Sequence, residues 1–76
     1  MSEASILRSE TAALERALAR LKAGSSTANS IETAVCGSSS AYRPEYREMA
    51  ARDARRLRQA TELVQSAVII LQGGDL

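Results

Sequence analysis

The chain has 76 residues, with 10 Lys and Arg against 9 Asp and Glu, no histidine and one cysteine. That length provides one domain, and a net charge of +1 gives no bulk attraction to polyanions. A single thiol cannot form an internal disulfide, and without histidine neither a Ser-His-Asp nor a Cys-His arrangement can be built.

Core-forming material is scarce. There is no Phe or Trp, and much of the 45% hydrophobic fraction is alanine, which lets helices approach closely but buries little area. A chain of this size commonly needs a staple or a partner to hold its fold. The opening MSEASILRSE lacks a basic region followed by an unbroken apolar run, so a signal peptide is not expected. No stretch approaches the roughly 18 apolar residues of a membrane span. A lone thiol suits a reducing compartment. The expectation is a soluble, cytoplasmic chain without a cofactor, folded as one all-α hairpin over residues 1–76.

The first periodic segment predicts a helix over residues 2–23. Leu7, Leu14 and Leu21 recur every seventh residue with Ala17 and Leu18 at the half-period, which places them on one face as the hairpin seam. Ser2 suits the N-cap, acidic residues come early and basic ones late, and Gly24 suits a stop.

Residues 24–42 read as a connector rich in Gly, Ser, Thr and Asn, a composition that buries too little apolar surface to offset its ordering entropy. Inside it, Ser30 to Cys36 (SIETAVC) has a cap and a following Gly37 that suit a short helix of about one and a half turns. Such a short helix is marginal without tertiary support, so both readings stay open.

The second helix is expected over residues 43–72. Pro44 suits a first turn, Glu45 and Glu48 suit the positive end of the helix dipole, and the next breaker is Gly73-Gly74. Tyr46, Ala50, Ala54, Leu57, Ala60, Val64, Ala67 or Val68, and Leu71 recur at helical spacing, with Leu57 completing the seam. At 1.5 Å per residue this helix spans about 42 Å against about 30 Å for the first. An antiparallel hairpin in which the second helix overhangs is the expected arrangement.

The stretch LVQSAVIIL, Leu63 to Leu71, is broader than a single seam needs. On a helical wheel Leu63, Val64, Ala67, Val68, Ile70 and Leu71 fill an arc of roughly 160°, where one partner helix takes about 100°, and Ile69 lies opposite near Gln65. Ile6 beside Leu7 widens the same pole. Three covers are available: SIETAVC folded back, a second copy of the chain, or another protein.

No catalytic constellation is present. Cys36 lies in a Ser/Gly-rich setting without an adjacent cation and reads as a passive thiol. GSSTANS lacks the Lys-Ser/Thr ending of a phosphate loop, and the acidic residues form no metal cage. Arg43, Arg47, Arg52, Arg55, Arg56 and Arg58 precede the Leu57-Val64-Leu71 heptad in the order of a basic zipper. However, they are interleaved with Glu45, Glu48 and Asp53, so a solvated face outweighs nucleic-acid binding.

Pro44-Glu45-Tyr46 at the head of an alanine-rich helix, with Gln65-Ser66-Ala67-Val68-Ile69-Ile70-Leu71 and a Gly-Gly-Asp-Leu end, resembles the small YscE/PscE/SsaE-type co-chaperones of type III secretion needles. The likeness covers roughly residues 42–76. It implies a two-helix hairpin without enzymatic activity that binds a tetratricopeptide-like chaperone and helps keep the needle subunit monomeric before export. It further implies partner-binding roles for Leu63, Val64, Ala67, Val68, Ile70 and Leu71, with Tyr46 and Met49 setting the hairpin end. The alternative is a self-associating helical bundle.

Overall fold

The computed structural model describes residues 2–37 and 41–74. Residues 38–40 of the expected connector and the terminal Asp75 and Leu76 lie outside the described residues. Two helices, α1 (Glu3–Val35) and α2 (Pro44–Leu71), pack against each other, with no strand among the described residues. The result is the expected all-α two-helix hairpin.

The second helix follows its sequence signals closely. Pro44 occupies the first turn, Glu45 lies in that turn, and the helix ends at Leu71 with Gln72 as C-cap. Gly73 follows at φ 87, the left-handed conformation that favours glycine. The Gly73 N–H donates to the Ile70 carbonyl at 3.0 Å and the Gly74 N–H to that of Ile69 at 2.9 Å, which together form a Schellman closure.

The first helix differs from expectation. It runs 33 residues, straight through Gly24 and most of the polar stretch read as a connector, so that Ser30 to Val35 of SIETAVC form its end and Cys36 is the C-cap. Composition failed here for two reasons. Thr27, Ser30 and Thr33 return their hydroxyls to the carbonyls of Ala23, Ser26 and Asn29, four residues back, so they do not compete with the helix. The heptad also continues beneath the polar residues: Thr11, Leu14, Leu18, Leu21, Ser25, Ala28, Glu32 and Val35 alternate by three and four, and each is buried or half-buried. Packing on α2 therefore supports a segment that would not hold a helix alone.

The opposing stripe of α2 is Arg47, Ala50, Ala54, Leu57, Thr61, Val64, Val68 and Leu71, again all buried or half-buried. Three cross-helix hydrogen bonds fix the register. Gln72 donates to Glu15 at 3.0 Å, Arg58 to Asn29 at 2.8 Å, and the Cys36 thiol to the Arg47 carbonyl at 3.6 Å. Interpolating between them, Leu14 lies opposite Leu71, Leu21 opposite Val64, Ser25 opposite Thr61, Ala28 opposite Leu57 and Val35 opposite Ala50. The overhang is thus reversed: the first two turns of α1, not part of α2, project past the other helix.

This geometry corrects one seam assignment and one partner-binding assignment. Leu7 has a seam position but lies on the projecting turns beside the end of α2, and it stays 46% exposed. Val68, read as partner-binding, is 6% exposed and among the few truly buried apolar residues, with Val35 and Ala54. Leu14, Leu18, Leu21 and Leu57 are half-buried in the seam as expected.

An aspartate at position 68 would place an unpartnered charge in the seam. Val68→Asp is therefore expected to cost at least about 3 kcal/mol and to abolish most helical circular dichroism at 25 °C. Gly73→Ala forces a side chain into the left-handed conformation and is expected to lower stability by about 1 kcal/mol, measured by urea titration.

Candidate functional site

The two flanks of the seam differ in chemistry. One carries Glu15, Asn29 and Cys36 on α1 and Arg58 and Gln72 on α2, joined by the hydrogen bonds above. Arg58 also approaches Glu32 at 3.7 Å. These groups are largely exposed, so each bond contributes on the order of 1 kcal/mol or less. Their value lies in selecting one register of a seam whose small apolar residues would tolerate others.

The opposite flank is apolar and open. Ala17 and Gly24 of α1 and Ala60 and Ala67 of α2 line it, all half-buried. An added side chain at Gly24 would meet nothing within 4 Å. Rising along this flank are Leu63 at 67% exposure, Ile70 at 55% and Ile31 at 49%, with Ile6, Tyr46 and Met49 also exposed. Near the hairpin turn a groove opens on the same side, lined by Ala28, Ile31, Tyr46, Met49, Ala50 and Asp53. The Tyr46 ring stacks on that of Tyr42 with centroids 5.4 Å apart, which holds the aromatic wall in place.

The expected partner-binding residues therefore divide. Leu63, Ile70, Tyr46 and Met49 face outward on the open flank. Ala67 forms its half-buried floor, and Val64, Val68 and Leu71 are turned into the seam. A helical wheel of α2 alone cannot make that division, because the direction of α1 is set by the register. Ile31 was missed for a related reason: it was assigned to a connector, and its position on the flank follows only from the continuation of α1. SIETAVC lies at the turn end of the hairpin and does not cover Leu63–Leu71. At the other end Leu7 and Leu71 do share a shallow groove, as the antiparallel arrangement requires.

The arginines do not form one basic stripe. At about 100° per residue, Arg43, Arg47, Arg52, Arg55, Arg56 and Arg58 distribute around α2. Arg47 lies in the seam stripe, Arg58 is engaged with Asn29 and Glu32, and Arg52 is 3.7 Å from Asp53. Cys36 is exposed beside Arg47, with its thiol on a backbone carbonyl. Among the described residues, no group of three or more His, Cys, Asp or Glu side chains could hold a metal ion, and no helix is long and apolar enough to cross a membrane.

Fold and flank together define a two-helix antiparallel hairpin with one closed polar side and one open apolar side. No protein-family model, curated protein or solved structure matches the chain.

Because Leu63 contributes nothing to the seam, Leu63→Asp is expected to shift the stability of the dilute chain by no more than about 0.5 kcal/mol. Leu57→Ala, half-buried between the helices, is expected to cost about 2 kcal/mol. Parallel thermal melts of the two variants at low micromolar concentration check the contrast.

Proposed function

We propose that this chain is a non-enzymatic, cytoplasmic binding module that covers apolar surface on a larger helical protein. By the resemblance of residues 42–76 to the YscE/PscE/SsaE-type co-chaperones, the larger protein is a tetratricopeptide-like chaperone. The pair then keeps a type III secretion needle subunit monomeric until export.

The open flank carries the reading. Ala17, Gly24, Ala60 and Ala67 let the backbone of a third helix approach, while Leu63, Ile70, Met49 and Tyr46 supply area on the α2 side and Ile31 on the α1 side. Tetratricopeptide-like arrays are stacked helix pairs, whose exposed helices are of the shape such a flank accepts. The chemistry asked of the hairpin is burial alone: each large side chain removed from water on binding contributes roughly 1.5–3 kcal/mol before the costs of association.

Co-expression with the chaperone of a needle subunit from the same bacterium is expected to yield a stoichiometric complex that melts above the free chain. Leu63→Asp and Ile70→Asp should each weaken that complex at least about tenfold while helicity is retained. Absence of any complex would end this reading, and a complex indifferent to both substitutions would place the partner on another surface.

A further inference from the structure

We infer that, when no other protein covers it, the open flank is closed by a second copy of this chain, in an antiparallel pair whose two-fold axis passes between Asp53 and Arg56 of α2. The proposal rests on the composition of the flank and not on the needle-chaperone reading.

Tyr46, Met49, Asp53, Arg56, Ala60 and Leu63 alternate by three and four along α2, which places them on one stripe of that flank. Its chemistry is self-complementary about the midpoint: two apolar residues, an acid, a base, two apolar residues. A two-fold rotation there sets Asp53 opposite Arg56 of the second copy, twice over. It also sets Met49 opposite the second copy's Ala60, large against small, and Tyr46 opposite its Leu63. Ile31, which shares the groove with Tyr46, Met49 and Asp53, lies at the level of the axis and meets its own counterpart.

Other arrangements fare worse. Parallel pairing of α2 on α2 would bring Asp53 against Asp53 and Arg56 against Arg56, a like-charge cost at both sites. Sliding the antiparallel pair by one heptad keeps the helical spacing but sets Asp53 against Leu63 and Arg56 against Ala60, leaving both charges unpartnered in an apolar surround. Within one chain Asp53 has an exposed pair with Arg52 at 3.7 Å, which is cheaply given up.

Surface area points the same way. The chain exposes 5752 Å², where a compact monomer of its 8.1 kDa would expose about 4,500 Å². The surplus is on the order of 1,200 Å², more than the roughly 800 Å² that each partner contributes to a standard interface.

The test is sedimentation equilibrium of the full chain from low to high micromolar concentration, with circular dichroism confirming helicity. The wild type is expected to show a reversible monomer–dimer equilibrium. Asp53→Arg and Arg56→Asp should each weaken it at least about tenfold, and the double reversal should return affinity to within about threefold of wild type. A chain that stays monomeric overturns the proposal, as does a dimer indifferent to the single reversals or not rescued by the double one. Because no chaperone is present in the experiment, its failure leaves the needle-chaperone reading untouched, and failure of that complex leaves the dimer untouched.

Discussion

The structure depends on one seam, a single side chain deep, between two helices that are the only packed elements among the described residues. Among the described residues, Val35, Ala54 and Val68 are the apolar ones below a tenth exposed, and no large side chain is fully enclosed. The radius of gyration, 16.8 Å, compares with about 11 Å for a compact domain of this length. A rod measuring 57 × 21 × 15 Å has no interior in which to hide apolar side chains that miss the seam. Whatever the seam does not bury must be solvated or covered by another molecule.

That constraint explains the division of labour between the flanks. A seam built mainly of Ala, Val and Leu at heptad spacing is nearly indifferent to a slip of one repeat, because small apolar residues recur at most layers. Hydrogen bonds from Gln72 to Glu15, from Arg58 to Asn29 and from the Cys36 thiol to the Arg47 carbonyl break the degeneracy. At mid-seam, Ser25 opposite Thr61 adds a polar layer, and among the described residues no buried side-chain nitrogen or oxygen lacks a partner. Concentrating polar cross-links on one side leaves the other largely apolar, with Asp53 and Arg56 as its charged interruption, and hence suited to exclusion of water by a third surface.

Legibility in the sequence followed the strength of local signals. Residues 43–72 read correctly as a helix because proline at one end and paired glycines at the other are unambiguous stops. The extension of α1 was not legible from composition, since Ser, Thr, Asn and Gly favour turns when nothing packs on them. Yet Leu21, Ala28 and Val35 carried the heptad through that stretch. Periodicity outranked composition once α2 was present to reward it. The same limit governed the site. Excess apolar character over Leu63–Leu71 was evident from one helix, but which half of it faces out depends on where α1 runs. Val68 and Leu63 look alike on a wheel and have opposite roles in the hairpin. Leu7 was misjudged for a related reason: its heptad position is sound, but it lies on turns that project beyond α2.

Exposure of this flank couples folding to occupancy. An occupant that binds the hairpin and not the unfolded chain stabilises it by an amount set by its concentration relative to its dissociation constant. For a core this thin, that contribution is comparable with the intrinsic stability of a small domain. A helical partner and a second copy would contend for the same Leu63 and Met49, so occupancy by one excludes the other. The heterologous partner prevails only if its affinity exceeds that of self-pairing at the prevailing concentrations. Asp53 and Arg56 are the residues through which that balance can be set, since they interrupt the stripe with charge. A purely apolar stripe would pair with itself in several registers, whereas one acid and one base favour a copy in a single alignment.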